Sequence, residues 1–329
     1  YYENQSGKSF LRKSRDVFPK TSWGAMGIKV FDWNNDGQMD IYITDMHSDM
    51  SKEESPGLEQ RKSDMQWNES HLMTKGQSIF GNSFFENRGE EGFTEVSDEI
   101  GLENYWPWGL STGDLNADGY QDIFVTNSMN FPFRYQSNTL LINDLGTRFR
   151  QAEFILGVEP RKNRETAQPW FDLQCDREPD KSHKLCLGAT GHVQAWSAVG
   201  SRASVIFDID DDGDLDIVTN EFNRGPQVLL SQLADSGKEL NFLKVNLRGS
   251  QSNANGIGAR VIVTAQGVAY TQVMDGKSGY LSQSVQPLYF GLGEAKAVEN
   301  ISVEWPSGKK QLVKAQALNQ LITIEENSE

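Results

Sequence analysis

Three short stretches of the chain repeat one pattern of aspartate, asparagine and glycine. They cover residues 32–40, 114–122 and 208–216, which we name loops 1, 2 and 3, and each reads D-x-[DN]-x-D-G-x-x-D. Oxygen atoms at alternate positions of a tight loop suit Ca²⁺, which takes about six to eight oxygen ligands. The glycine at the sixth position allows the sharp turn with positive φ that such a loop needs. The pattern therefore predicts up to three calcium sites.

The predicted ligands stand at the first, third, fifth, seventh and ninth positions of each loop, and the seventh residue can offer its backbone carbonyl. One Asp-Gly cluster could be an ordinary surface turn, but three matching copies argue against that interpretation. Their clustered carboxylates would also repel one another without a counter-ion. Loop 3, which also contains Asp211, is the most acidic, and we expect it to bind its ion most tightly. The predicted ligands are Asp32, Asn34, Asp36, Gln38 and Asp40; Asp114, Asn116, Asp118, Tyr120 and Asp122; and Asp208, Asp210, Asp212, Asp214 and Asp216.

Strand-like patterns flank the loops on both sides. An apolar or small-residue run precedes each loop, as at 27–31, and a β-branched run follows it, as at 41–44. A second unit recurs in phase with the loops: a strand, a glycine turn and a strand that begins with phenylalanine. The phenylalanines of its copies are Phe10, Phe93, Phe149 and, in a weaker match, Phe242.

Together the two units give a repeat of about 56 residues, or roughly four short strands, which is typical of a β-propeller blade. We therefore predict an all-β protein with propeller blades over residues 1–240, interrupted by insertions at about 46–80 and 157–198. Residues 241–329 alternate like short strands separated by Gly, Pro and Asn turns. That pattern predicts a small β-sandwich as a second domain.

The charge of the chain excludes several classes of function. Lys and Arg number 31 against 46 Asp and Glu, which gives a net charge of −15. Nucleic acid and anionic lipid both require clustered basic residues, so neither is an expected partner. No apolar run approaches the length of a membrane-spanning helix, so we expect no membrane span. An acidic chain of this kind favours cations instead.

The cysteines and the loops together suggest a compartment. Cys175 and Cys186 lie in no CxxC motif, so zinc and iron–sulfur chemistry have little support. Either they form a disulfide or they are free thiols, and we favour the disulfide for a secreted chain. Calcium near millimolar outside the cell would fill even weak sites, whereas cytosolic calcium would not. We therefore expect a secreted, extracellular protein, or one that is periplasmic or on the cell surface.

Two further features bear on export. The chain begins Tyr1-Tyr2-Glu3, without an initiator methionine or a signal peptide, so we expect that it starts downstream of another segment. Sequons for N-glycosylation occur at Asn4, Asn68 and Asn300. They matter only if the source glycosylates secreted proteins.

Motifs for catalysis are weak. Residues 109–113 match the G-x-S-x-G nucleophile elbow, but that motif needs a strand leading into a helix, and this one leads into loop 2. Residues 276–278 resemble part of a phosphate-binding loop but lack its first glycine and its helix. The four histidines form no H-E-x-x-H motif. Because the sequence shows no intact catalytic constellation, we expect a protein that is not an enzyme.

Two weaker alternatives stay open. His47 and His71 share the first insertion with acidic residues, so a second kind of metal site there is conceivable. Aromatic residues concentrate at 106–108 and 131–135, where they either pack between blades or form a platform for sugar or aryl ligands. Blade packing is the favoured interpretation.

These motifs resemble the FG-GAP/VCBS repeat family, whose calcium loops also occur in integrin α-subunit propellers. The C-terminal part is similar to the ASPIC/UnbV domain. The combination resembles the cartilage acidic protein family and its bacterial relatives, some of which are associated with enediyne biosynthesis. The stretches that carry the second similarity are 252–261, 275–283, 288–293 and 303–308.

The resemblance implies a closed ring of about seven blades. Residues 1–20 read as the end of a blade, so we expect upstream blades on the same chain or on another. The resemblance also implies a binding, adhesion or scaffold module with structural calcium. The partner of that module would be a protein, a glycan or a second copy of the chain. The alternatives are an enzyme with a site on the propeller axis and a structural subunit of an extracellular assembly.

Overall fold

The chain is nearly all β, with 44% of its residues in strands and 8% in helices. A computed structural model describes residues 1–18, 20–46, 78–79, 81–104, 106–129, 135–237, 239–277 and 279–327. Strands predominate because short runs rich in Val, Ile, Phe and Thr alternate with Gly and Asn turns. The predicted all-β propeller is confirmed.

The N-terminal residues form an antiparallel hairpin and the first complete blade. Blade 1 is a four-stranded sheet in the order β4-β5-β7-β8, and β3 pairs in parallel with β6 beside it. The first insertion, 46–80, lies largely outside the described residues, and so do His47, His71 and Asn68. The elements are β1 (Tyr2–Asn4), β2 (Phe10–Arg12), α1 (Ser14–Val17), β3 (Thr21–Ser22), β4 (Ala25–Phe31), β5 (Asp40–Asp45), β6 (Ser78–Ile79), β7 (Ser83–Asn87) and β8 (Phe93–Glu95).

Blade 2 repeats this sheet, and blade 3 repeats three of its strands. Blade 2 has the order β12-β11-β10-β9 and blade 3 the order β15-β16-β17. Between them the second insertion forms the hairpin β13–β14. The elements are α2 (Ser97–Ile100), β9 (Pro107–Gly113), β10 (Asp122–Asn127), β11 (Thr139–Asn143), β12 (Phe149–Gln151), β13 (Ala167–Gln174), β14 (His192–Ala198), β15 (Ser201–Phe207), β16 (Asp216–Glu221) and β17 (Gln227–Leu229).

Hydrogen bonds join the second strand of one blade to the first strand of the next. The Thr44 hydroxyl near the end of β5 donates to the Trp108 carbonyl of blade 2 at 2.8 Å. At the same place in the next blade, the Thr126 hydroxyl donates to the Arg202 carbonyl of blade 3 at 3.0 Å. The three calcium-type loops lie at the opposite end of these strands.

Residues from Phe242 onward form a β-sandwich of two sheets. One sheet has the order β21-β18-β24 and the other β20-β19-β22-β23, and a continuous core of buried aliphatic side chains lies between them. The strands are β18 (Phe242–Arg248), β19 (Arg260–Ala265), β20 (Val268–Val273), β21 (Leu288–Gly291), β22 (Val298–Glu304), β23 (Lys310–Gln316) and β24 (Gln320–Glu325).

Phe242 begins a strand of the sandwich. It carries the weaker match to the repeated turn-and-phenylalanine unit and also lies in the stretch 241–329 that was predicted to form the sandwich, and it begins β18, which pairs with β21 and β24. The turn-and-phenylalanine pattern is local, whereas strand partners are determined by contacts distant in sequence, so this copy of the pattern does not complete a blade. Blade 3 therefore has three strands among the described residues.

The predicted disulfide is present in the second insertion. Cys175 and Cys186 are bonded, with their Cα atoms 5.2 Å apart, and both are buried in a small cluster with Leu173. Short 3₁₀ helices complete the fold. They are Gly89–Glu91, Lys162–Arg164, Asp180–Ser182, Lys184–Cys186 and Ala234–Ser236. None of the described helices has the length and apolar character that crossing a bilayer requires.

Candidate metal centres

Each predicted calcium loop connects the first two strands of a blade. Loop 1 joins β4 to β5, loop 2 joins β9 to β10 and loop 3 joins β15 to β16. Their glycines adopt the left-handed conformation, as predicted. The φ angles are +83° at Gly37, +95° at Gly119 and +99° at Gly213.

The first aspartate of each loop stabilises the turn of that loop through a hydrogen bond to its backbone. One of its oxygens accepts a hydrogen bond from the amide of the loop glycine, five residues further on. Because that amide approaches the carboxylate only when the chain turns back sharply, the left-handed glycine and the aspartate act together. The distances are 2.9 Å from Gly37 to Asp32, 2.7 Å from Gly119 to Asp114 and 3.0 Å from Gly213 to Asp208.

The ninth-position aspartates are buried and tie the loop to the third strand of the blade. Asp122 accepts the amide of Leu115 at 2.8 Å through one oxygen and the amide of Asn143 at 2.8 Å through the other. Asp216 is bonded in the same way to Ile209 at 2.9 Å and to Ser231 at 2.8 Å. Loop 1 repeats the arrangement with Asp40 bonded to Trp33 and Asn87.

The middle positions pair with one another in loops 1 and 2. The Asn116 amide group donates to Asp118 at 2.9 Å, and the Asn34 amide group donates to Asp36 at 3.3 Å. The fifth-position carboxylates also accept the amide of the seventh residue, at 2.7 Å from Gln38 and 2.9 Å from Tyr120. The seventh residues thus contact the fifth-position carboxylates through their backbone amides.

Loop 3 gathers the most carboxylate oxygens. Ligand atoms of Asp208, Asp210 and Asp216 lie within 4.8 Å of one another. Two further oxygens are buried without a hydrogen-bond partner, Oδ1 of Asp208 and Oδ1 of Asp214. Asp212 accepts the Asp214 amide at 3.1 Å. A buried, unpartnered carboxylate oxygen is costly unless a cation contacts it, so this donor set fits a hard divalent ion.

Burial raises the pKa of four carboxyls in loops 1 and 2. Desolvation, reinforced by Asp118, raises the pKa of Asp114 to about 7. Desolvation likewise raises the pKa of Asp40 to about 7 and that of Asp32 to about 6, in each case against amide hydrogen bonds that lower it. The pKa of Asp122 is raised well above its usual value by burial and by Asp114. Burial thus disfavours the ionised form of these carboxyls, and a bound cation would favour it.

The sandwich domain covers all three loops, which the sequence did not predict. The Tyr270 ring packs on Gly119 of loop 2, and the Phe242 ring packs on Gly213 of loop 3. The Tyr289 hydroxyl donates to the Gly213 carbonyl at 2.9 Å. At loop 1, Arg260 donates to the Gly37 carbonyl at 2.6 Å. The loops therefore lie at the interface between the two domains.

A lysine of the sandwich also enters loop 3. The Lys244 ammonium lies 2.9 Å from Asp208 Oδ2 and 3.0 Å from Asp211 Oδ1. Asp208 Oδ1 stays unpartnered, so the lysine leaves one oxygen of that carboxylate available. Sequence reasoning missed Lys244 because it stands 36 residues beyond Asp208, in another domain.

Part of the sandwich runs along the inner strands of the blades. The Tyr280 ring packs on Trp108, and Gly279 lies against the backbone of Leu110 in β9. Beside this segment, a cavity of about 400 Å³ separates the blades from the sandwich, and ion pairs such as Lys29–Asp275, at 2.8 Å, line it. Trp108 also stacks under Arg202 at 4.3 Å, so this part of the aromatic concentration serves packing between blades and domain.

The remaining predicted positions lie elsewhere. Asn4 is at the end of β1, where its side chain accepts the Gly7 amide at 2.7 Å, and Asn300 is inside β22. Residues 109–113 are part of β9 and lead into loop 2, not into a helix, which agrees with rejecting a nucleophile elbow. Within the second insertion, the His192 ring lies 2.9 Å from Asp172 on the surface. Residues 131–134 of the second aromatic stretch lie outside the described residues.

Two known families match the chain. Residues 74–125 match the FG-GAP-like repeat, and residues 249–329 match the family described as ASPIC and UnbV. The first match covers the two outer strands of blade 1, β7 and β8, and the start of blade 2, including loop 2. The second covers most of the sandwich.

Curated relatives carry the name cartilage acidic protein 1. The chain is 34% identical over 253 residues to the protein of Homo sapiens, an alignment that covers 69% of this chain and 37% of the relative. It is 27% identical over 250 residues to the protein of Xenopus tropicalis, with 69% of this chain and 38% of the relative covered. The chain thus spans less than two fifths of the length of these relatives.

Proposed function

Because the chain combines an FG-GAP-like repeat with an ASPIC and UnbV domain and has homologues named cartilage acidic protein 1, we propose that it is a calcium-stabilised extracellular binding or scaffold module. The calcium is structural in this proposal. A bound ion would neutralise the carboxylates of a loop and link the first two strands of a blade to each other.

The observation that carries the proposal is the donor set of loop 3. Asp208, Asp210 and Asp216 converge there, and Oδ1 of both Asp208 and Asp214 is buried without a hydrogen-bond partner. An all-oxygen set of this charge suits Ca²⁺ better than a transition metal, which prefers nitrogen or sulfur ligands. Loops 1 and 2 also have aspartate at the first, fifth and ninth positions, and they have asparagine at the third.

The position of the loops gives the ions a second role. The sandwich packs on Gly119 and Gly213 and hydrogen-bonds to Gly37. A change in loop shape would therefore alter the contacts at the domain interface. We propose that calcium holds the loops in the shape that the sandwich recognises. Loss of the ions would then loosen the contact between the domains as well as the blades.

Two observations support an extracellular location. The Cys175–Cys186 disulfide is of a kind that persists in oxidising compartments. The homologues are named cartilage acidic protein. Calcium near millimolar outside the cell would also keep loops of weak calcium affinity filled.

The FG-GAP-like repeat supports a binding or scaffold role, since it suggests a protein-binding module.

The test measures melting and calcium binding on the same protein. Calcium at about 100 times its dissociation constant adds about 2.7 kcal/mol of stability per coupled site, so we expect Tm to rise by about 5 °C or more over the value in EDTA. Isothermal titration calorimetry should find saturable binding. Magnesium at equal concentration is the control, since it demands a tighter octahedral shell.

A variant separates loop-specific binding from general charge effects. Asp208→Asn should remove one binding event and most of the loop 3 share of the calcium-dependent rise in Tm. The matched control is Asp235→Asn, which changes an exposed aspartate outside the loops by the same charge. A melting curve that is the same in calcium and EDTA, or equal calcium binding by both variants, would refute the proposal.

A further inference from the structure

Among the described residues, blade 3 lacks the fourth, outer strand that blades 1 and 2 have. In blade 1, β8 lies outside β7, and in blade 2, β12 lies outside β11. In blade 3, β17 pairs with β16 alone among the described residues. The other edge of β17 is thus unpaired there, and an unpaired strand edge is a template for another strand.

The outer strands of blades 1 and 2 make one repeated set of contacts. In blade 1, the Phe84 amide donates to the Glu95 carboxylate at 3.0 Å, and Val96 donates to the Phe84 carbonyl at 2.9 Å. In blade 2, the Leu140 amide donates to the Glu153 carboxylate at 3.3 Å, and Ala152 donates to the Leu140 carbonyl at 2.8 Å. A glutamate near the end of the outer strand therefore caps the third strand in both blades.

The register identifies the equivalent residue in blade 3. Phe84 lies opposite Tyr42, and Leu140 lies opposite Phe124, in both cases two residues after the last aspartate of the loop. Val228 lies opposite Val218, which holds the same place after Asp216. The Val228 side chain is 47% exposed. By this equivalence its amide and carbonyl point to the unpaired edge.

A polar cavity adjoins the start of β17. It measures about 240 Å³, and its lining includes Arg161 and Gln227. Arg161 is 7% exposed and its Nε has no hydrogen-bond partner, and the buried Oε1 of Gln227 has none either. One donor and one acceptor, both unsatisfied and both buried, favour a ligand that carries the opposite groups.

The charges around this cavity favour an acidic ligand. Arg161 and Arg224 line it in ion pairs with Glu221, at 2.5 Å, and Glu165, at 2.6 Å. Lys162 also lines it and gives the cavity an excess of one positive charge, in a chain whose net charge is −15. An outer strand runs antiparallel to the third strand, as Phe85 opposite Glu95 and Asn87 opposite Phe93 show. The acidic end of an added strand would therefore arrive next to the cavity.

We propose that the edge of β17 and this cavity bind an extended acidic peptide segment of a partner protein, which adds antiparallel to β17 as the fourth strand of blade 3. Main-chain hydrogen bonds to Val228 supply affinity, and a carboxylate near the end of the strand supplies specificity. The site lies at the opposite end of β16 from loop 3. It specifies the partner of the binding module proposed above but does not depend on calcium.

The probe is a fluorescein-labelled peptide with the sequence of residues 90–97, which contains the outer strand of blade 1 and is acidic. Fluorescence anisotropy with the whole chain should show saturable binding. A peptide with Gln in place of Glu95 should bind at least about threefold more weakly, because it loses the charged cap. Absence of saturable binding up to about 1 mM would overturn the proposal.

Two changes in the protein test the location of the site. Val228→Pro removes the amide at the unpaired edge, where proline is tolerated, and should weaken binding about tenfold or more, whereas Val228→Ala should not. If the proline variant does not fold, the double charge reversal Lys162→Glu with Arg224→Glu should weaken binding of the acidic peptide. Equal binding by the wild type and by whichever of these two variants folds would contradict the site.

A second copy of the chain is the competing occupant. Sedimentation across a range of concentrations should show a monomer. A dimer that Val228→Pro abolishes would assign the edge to self-association and overturn the peptide proposal. The calcium proposal is tested separately, because melting in calcium and EDTA does not involve the peptide.

Discussion

Lys244 of the sandwich reaches into loop 3 and places its ammonium 2.9 Å from the carboxylate of Asp208. The pair is poorly exposed, with 14% of the lysine side chain and 2% of the aspartate side chain accessible. Burial alone would lower the pKa of Lys244, but its hydrogen bonds to Asp208 and Asp211 outweigh burial and raise it. Lys244 thus connects the second domain to the carboxylates of the most acidic calcium-type loop, in addition to the contacts of Phe242 and Tyr289 with Gly213.

Lys244→Met should destabilise the protein most when calcium is absent. The change leaves Asp208 without its cation, which costs about 1.5–3 kcal/mol for a charge-assisted hydrogen bond. A divalent ion in loop 3 would neutralise the same carboxylate, so the loss should shrink in saturating calcium. Urea denaturation in EDTA and in calcium measures both values.

The control for that change is Lys296→Met. Lys296 lies 4.0 Å from Glu239, and both side chains are more than two thirds exposed, so its removal should cost less than about 0.5 kcal/mol. An equal loss of stability in the two variants would show that Lys244 contributes only surface charge.

Gly213→Ala should weaken the contact between loop 3 and the sandwich. The glycine has a φ of +99°, and a Cβ at this position would lie 2.5 Å from Cε1 of Phe242. The left-handed backbone and the clash together should cost about 2–4 kcal/mol. Gly237→Ala is the control, since Gly237 has a left-handed backbone, with a φ of +79° and a ψ of 4°, and no neighbour within 4 Å.

The difference between these two variants isolates the packing of the domains. We expect the loss of unfolding free energy in Gly213→Ala to exceed that in Gly237→Ala by about 1–3 kcal/mol in urea denaturation. Similar losses in both would mean that the Phe242 ring moves aside without cost.

The strands around the loops could be predicted from the sequence because their information is local. Residues 41–44 and 217–219 alternate like strands directly after an aspartate loop, and the structure has β5 and β16 there. The sandwich strands follow the same kind of local pattern. Periodicity of this type depends only on neighbouring residues, so it can be recognised in the sequence before the fold is known.

Strand partners and domain contacts could not be predicted in the same way. Phe242 follows a glycine turn as Phe93 and Phe149 do, yet it joins another sheet, because its partners in β21 and β24 lie about 50 to 80 residues further on. The packing of Tyr270 on Gly119 has no local signature either. The loops could thus be predicted from the spacing of their aspartates, but the packing of the sandwich domain on the loops could not.

Glu326 makes the sandwich sensitive to acid. Its carboxylate accepts the amides of Ser250, Gln251 and Ser252 at 2.8, 2.8 and 2.7 Å and the Ser307 hydroxyl at 2.5 Å. Burial would raise its pKa, but these hydrogen bonds together lower it to about 2. A depressed pKa stabilises the fold above the unfolded-state value of about 4.3, and that contribution is lost as the pH falls towards 2.

Glu326→Gln should therefore flatten the decline in stability between about pH 4.3 and 2 and lower stability at neutral pH. Denaturation curves recorded at several pH values measure this slope. Glu325→Gln, which changes an exposed neighbour, serves as the control and should keep the wild-type slope. If Glu326→Gln keeps that slope too, another carboxylate is responsible for the acid sensitivity.

Thr126→Val should weaken the junction between blades 2 and 3. The Thr126 hydroxyl is fully buried, accepts the Gly109 amide at 2.8 Å and donates to the Arg202 carbonyl at 3.0 Å. Valine has the same shape without the hydroxyl, so it leaves the Gly109 amide buried and unpaired, which costs about 1–3 kcal/mol. Thr126→Ser keeps the hydroxyl and loses a methyl group, so it should cost about 1 kcal/mol. Because Thr44 makes the same contacts between blades 1 and 2, Thr44→Val should show the same excess over Thr44→Ser. Urea denaturation of the four variants measures these differences. If the serine variants are no more stable than the valine variants, the hydroxyl bonds do not stabilise the junction, and packing alone holds it.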